Sequence, residues 1–135
     1  MHALEAIVVH HSASRRSTTA EDIRAWHKAK GWDDIGYHYV IEGDGKIVIG
    51  RPLWVVGAHC PPNTGRVGIC VTGNNRILEE RWTPAQEAAL YMVVTSLQIL
   101  VPKIQLFAHH ELRSTECPGI PKVELQNIVY WEAAS

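Results

Sequence analysis

Eight histidines and three cysteines are the residues in this 135-residue chain best suited to do chemistry. Four of the histidines form two neighbouring pairs, His10-His11 and His109-His110, and Cys117 lies eight positions after His109. Histidine is the commonest metal ligand and a frequent acid or base near neutral pH. A loop of that length lets a thiolate fold back beside an imidazole. One histidine from each pair, with Cys117, makes three donors of suitable softness for zinc. Three protein donors leave the fourth tetrahedral position open, as in a catalytic rather than a structural zinc site. The spacing alone is only moderately specific, because a lone histidine more often serves the core. Adjacent side chains on a strand point to opposite faces, so His10 and His11 do not share one metal. The same residues allow two other chemistries. One is a thiol hydrolase with Cys117 as nucleophile and a histidine as base. The other is a closed structural zinc with Cys60 as fourth donor. Cys70, inside an apolar run, reads as core.

The elements around these residues are legible. Residues 6–10, Ala-Ile-Val-Val-His, form a β-branched run that reads as a buried strand ending in the first histidine pair. Thr18 with Glu21 offers a capping box for a helix through Ile23, Trp26 and His27, which Gly31 ends. Residues 37–41 and 46–50 make a hairpin around Asp44-Gly45. Residues 52–66, rich in proline and glycine, read as a long surface loop. Residues 67–71 form another buried strand. Thr83 caps a second helix with Pro84 in its first turn. Its apolar stripe is expected along Ala88, Tyr91, Met92, Thr95, Leu97 and Leu100, and Pro102 ends it. Residues 104–108 form a strand that runs into the second histidine pair, and Pro121 opens a C-terminal helix. Strands alternating with helices give a single α/β domain over 1–135, with a central mixed sheet of five or six strands flanked by helices. Ligand sites of such sheets collect at the C-terminal ends of the strands, where both histidine pairs fall.

Composition narrows the function classes. The chain is 46% hydrophobic and 20% charged, with a formal net charge of -1. This argues against disorder and gives no general attraction to nucleic acid or anionic membrane. No run is long enough to span a bilayer, and no signal peptide is expected, which points to the cytoplasm of the producing cell. Three scattered cysteines fit a reducing compartment. A monomer is expected.

Ordered motifs run along nearly the whole chain. They are Val-His-His-Ser-Ala-Ser at 9–14, Trp-His-Lys at 26–28, and Gly-Trp-Asp-Asp-Ile-Gly-Tyr-His-Tyr-Val-Ile at 31–41. Asp-Gly-Lys at 44–46, Gly-Arg-Pro at 50–52, Gly-Ala-His at 57–59 and Val-Gly-Ile-Cys at 67–70 continue the set. Thr-Pro-Ala-Gln at 83–86 and Ala-His-His-Glu through Glu-Cys-Pro-Gly at 108–119 complete it. In this order the chain resembles the zinc-dependent type 2 N-acetylmuramoyl-L-alanine amidases, which include small phage endolysins and the peptidoglycan recognition proteins. The resemblance implies an α/β amidase fold. It implies one zinc ion held by His10, His109 and Cys117, which polarises the scissile carbonyl and activates a water. It places Tyr37 beside the zinc and Thr115 at the oxyanion position, where some relatives carry a lysine. It makes His59 a substrate-binding or ligand-supporting residue, and Arg66 a candidate for a stem-peptide carboxylate. The implied reaction is hydrolysis of the amide between N-acetylmuramic acid and L-alanine of peptidoglycan, by a phage or prophage endolysin. The alternatives are a non-catalytic peptidoglycan receptor on the same fold, which typically loses a zinc ligand, and an intracellular amidase that recycles soluble muropeptides.

Overall fold

The computed structural model describes residues 3–131. A five-stranded sheet forms its centre, built from β1 (Ala6–His11), β2 (Tyr39–Ile41), β3 (Ile47–Ile49), β4 (Arg66–Val71) and β5 (Gln105–Ala108). The spatial order is β3-β2-β4-β1-β5. β1 lies parallel to both β4 and β5, β2 is parallel to β4, and the edge strand β3 is antiparallel to β2. The sheet is therefore mixed, at the lower end of the expected strand count. The parallel strands read as continuous apolar runs because both sheet faces are covered.

Helices α2 (Pro84–Leu100) and α3 (Lys122–Ile128) cover one face, where Ile7, Val9, Ile69 and Val71 meet Leu90, Val93, Val94, Leu97 and Leu125. Helix α1 (Ala20–Ala29) covers the other, with Ala20 and Ile23 against Ile35, Val40 and Cys70. The cap of α1 falls one residue later than expected. Thr19, not Thr18, accepts from Asp22 N–H, and Asp22 returns the bond to Thr19 N–H. Thr18 is instead buried and shares a hydroxyl contact with Ser14.

The stripe of α2 also differs from the expected one. Its buried positions are Gln86, Ala89, Leu90, Val93, Val94 and Leu97, whereas Met92 and Leu100 are exposed. The helix is apolar on nearly every face, so its sequence does not single out the one that meets the sheet. Arg16, in the loop after β1, is tied into the fold. Its guanidinium donates to Glu79 O and Arg81 O, and its N–H donates to the Glu80 carboxylate. It staples the loop after β1 to the loop after β4.

Candidate metal centre and active site

Strand register delivers the first donor. His10 pairs with Cys70, and Cys70 pairs with Val40, so these three side chains share the sheet face beneath α1. His10 is buried there. Its neighbour His11 points to the opposite face, where its Nδ1 accepts from Asn75 N–H at 3.3 Å. Val9 pairs with Ala108, so the next residue of each strand, His10 and His109, leaves the sheet side by side. Their ring centroids stand 4.3 Å apart. From His109 the chain turns into a 3-10 segment, His109–Glu111, which the Glu111 carboxylate ties back to Ala108 N–H.

The loop after this turn brings in the third donor. His110 N–H donates to Cys117 O at 2.8 Å, and His11 N–H donates to Cys117 Sγ at 3.3 Å. Thr115 Oγ1 accepts from Cys117 N–H. Gly119, at φ +80, lies so close to the His11 ring that an added Cβ would stand 3.0 Å from its Cε1. A side chain there would push the cysteine turn away from β1.

One donor atom from each of His10, His109 and Cys117 lies within 4.8 Å of the other two. Among the described residues no other histidine, cysteine or carboxylate group gathers in this way. Cys60 stays outside the cluster, buried, with its Sγ beside the Arg66 guanidinium. The chemistry of the three donors fits a metal. Burial lowers the pKa of His10, with His59 and His109 adding repulsion, and burial also lowers that of His109. Both imidazoles are therefore neutral at pH 7, the form that binds a cation. His109 Nδ1 is buried without a hydrogen-bond partner, an orphan that a cation would satisfy. Burial pushes the Cys117 thiol up to about 12, against the pull of His11 N–H. Such a thiol is not a nucleophile at neutral pH, and no imidazolium stands beside it to make it one. It loses its proton readily only to a coordinating metal.

The other anticipated site residues fall around this cluster. The Tyr37 ring lies 5.1 Å from that of His10, and its hydroxyl bonds with the Cys70 thiol. Burial, with both nearby thiols adding to it, raises the phenol well above its usual pKa. Tyr37 is thus a donor and not a base. Thr115 lines a 240 Å³ pocket together with His11, Ala13, Asn74, Arg76, Glu116 and Cys117. His59 is in direct contact with His10, its Nδ1 3.0 Å from His10 Nε2. Arg66 turns its guanidinium back onto Cys60 O and Pro61 O, so it braces the long loop in this arrangement.

Two features were not foreseen. His27, placed by the sequence on the first helix without a role, is buried, and its Nδ1 accepts from Gly36 N–H at 2.8 Å. Arg76, held by an ion pair with Glu116, lines the same pocket as Thr115. No local signal marks either residue, because their partners are distant in sequence or lie in irregular loops.

Two histidines at the C-terminal ends of the parallel strands β1 and β5, met by a cysteine from the following loop, give an α/β domain with a candidate metal site. The chain belongs to the N-acetylmuramoyl-L-alanine amidase family, whose model matches residues 1–120. Among its relatives, the endolysin of Escherichia phage T7 is 36% identical over 121 residues, covering 85% of this chain and 80% of that protein. The N-acetylmuramoyl-L-alanine amidase LysC from Clostridium intestinale URNW superposes with a TM-score of 0.87 at 35% identity, covering 97% of this chain and 88% of that one. Drosophila PGRP-LB superposes with a TM-score of 0.82 at 30% identity, covering 93% and 81%. The protein is an enzyme, an amidase acting on peptidoglycan.

Proposed function

We propose that this chain hydrolyses the N-acetylmuramoyl-L-alanine amide as a phage-type endolysin, using one zinc ion held by His10, His109 and Cys117. The observation that carries this reading is the meeting of two neutral imidazoles and one thiol, with His109 Nδ1 left without a protein partner. When bound, zinc supplies Lewis-acid polarisation of the scissile carbonyl and an acidified water.

The chain's own residues do the rest. The buried His10 imidazole, the half-buried His109 imidazole and the thiolate would fix the metal's position and exclude bulk water from one side. Tyr37, held as a neutral phenol, offers its O–H to the oxygen on which charge develops. Thr115 accepts from Cys117 N–H, which steadies the cysteine turn, and its own O–H remains to donate toward the same oxygen. The leaving L-alanine nitrogen takes up the proton that the attacking water gives up. Retention of all three donors argues against the non-catalytic receptor. Both phage and recognition-protein relatives support peptidoglycan as the substrate; no helix among the described residues is long and apolar enough to cross a membrane.

The test is to assay metal-free and zinc-reloaded protein against muropeptides and intact cell wall, reading products by mass spectrometry. Free stem peptide released only by the reloaded sample, from both substrates, is the expected result. Release from soluble muropeptides alone would move the assignment to recycling. Release undiminished after metal removal would overturn the zinc reading.

A further inference from the structure

His59 is built into the protein more firmly than a groove residue needs to be. Its ring lies flat against β4 where Gly68 has no side chain; a Cβ there would come within 2.6 Å of His59 Cγ. A Cβ on Gly57 would come within 2.7 Å of its Cδ2. Its backbone N–H donates to Asn63 Oδ1 at 2.9 Å, and Asn63 also takes Cys60 N–H. Both ring nitrogens are committed: Nε2 stands 2.9 Å from Arg66 O, and Nδ1 stands 3.0 Å from His10 Nε2.

These contacts decide where the protons sit. A backbone carbonyl has lone pairs only, so His59 Nε2 must carry the hydrogen that joins it to Arg66 O. A neutral imidazole carries one such hydrogen, so His59 Nδ1 is bare and accepts. The hydrogen in the 3.0 Å contact therefore belongs to His10 Nε2. That leaves the lone pair of His10 on Nδ1. His109 presents a free Nδ1 as well, so the two histidine donors of the cluster match in kind.

We propose that His59 is a positioning residue that sets the tautomer of His10, so that His10 Nδ1 is the nitrogen that takes the metal. The relay runs from a backbone carbonyl of β4 through His59 to the ligand. It rests on the metal reading given above, although the tautomers themselves exist without metal. Supporting partners of this kind orient a ligand ring and raise its basicity, and losing one typically weakens metal affinity ~10–100-fold.

Imidazole nitrogen-15 spectra of the full-length chain, metal-free and zinc-loaded, read the tautomers directly. The expected result is a proton on Nε2 of both His10 and His59 without metal, and zinc on His10 Nδ1 when loaded. A proton on His10 Nδ1 in the metal-free chain, or zinc on His10 Nε2, would overturn the proposal. Competition with a chromophoric chelator gives the second readout. His59→Leu should weaken zinc binding by ~10–100-fold. His59→Asn, whose Oδ1 falls near the position of the lost Nδ1, should recover most of that loss. An undiminished affinity in His59→Leu would also sink the idea. Should the leucine variant fail to fold, the spectra of the parent chain still decide. Should the parent take up no zinc, the metal reading fails, while the metal-free tautomers continue to judge the role of His59.

Discussion

At the scale of single residues, the donors and the residues that support them have separable effects. On the proposed mechanism, Tyr37→Phe removes one hydrogen bond to the developing oxyanion and leaves His10, His109 and Cys117 in place. Its kcat should fall by about 10²–10³-fold, while zinc content and KM stay near those of the parent. Steady-state kinetics on a defined muropeptide, paired with metal analysis, checks this; a change confined to KM would show that Tyr37 only binds substrate. Cys117→Ser exchanges a soft thiolate for a hydroxyl, so it should lose zinc and activity together, as measured by chelator competition. The meeting of His10, His109 and Cys117 was legible in the sequence because each residue sits in a local motif of the family. The contact of His59 with His10 was not, because its partner lies 49 positions away and a shared hydrogen leaves no trace in composition. The buried acceptor role of His27 was hidden because its partner, Gly36, lies in an irregular loop.

At the scale of elements, the sequence marked the helices and strands well and their faces less well. Thr83 caps α2 as expected, but the box expected of Thr18 and Glu21 forms one residue later, because two adjacent threonines and two adjacent acids left the register of α1 open until Thr19 and Asp22 were seen to pair. In α2 the side facing the sheet is set by what the sheet offers, not by periodicity. The clearest case is Gln86, a fully buried polar residue on that face. Its amide donates to Thr72 O at 2.7 Å, and its Oε1 accepts from Thr83 N–H at 2.9 Å. It thereby locks the start of α2 onto the end of β4. Gln86→Leu leaves the buried Thr72 O without its amide donor and the half-buried Thr83 N–H without its acceptor, and it should cost about 1–3 kcal/mol. Chemical denaturation of the metal-free variant measures the loss, and a change below about 0.5 kcal/mol would mean that water replaces the amide.

At the scale of the whole molecule, the buried histidines tie stability to pH. Burial lowers His10, His27 and His109 below the usual value of 6.5, and takes His11 and His59 to about 4. Between those values the unfolded chain binds protons that the folded chain refuses. Stability is then fully present above about pH 6.5 and drains away as the pH falls toward 4. Urea midpoints of the metal-free protein should drop steadily between pH 7 and 5. His27→Asn, whose Oδ1 falls near the lost Nδ1, keeps an acceptor for Gly36 but does not titrate, so it should flatten that slope. Saturating zinc should raise the melting temperature, by about 2.7 kcal/mol of stabilisation at a hundredfold excess over its dissociation constant. The strand order was not legible in the sequence. It follows from which runs find each other across the chain.

That order has a consequence in time. β1 is made first, yet it ends between β4 and β5, which are made much later. His11 touches Cys117 across 106 positions of chain. A topology so rich in non-local pairing folds slowly, and β1 has both its neighbours only once β5 has been synthesised. A ribosome-bound chain that stops short of Cys117 lacks a complete donor set. On the proposed mechanism, a wall-cutting enzyme of this design stays silent on the ribosome until β1 and the Cys117 turn, made 106 positions apart, have met.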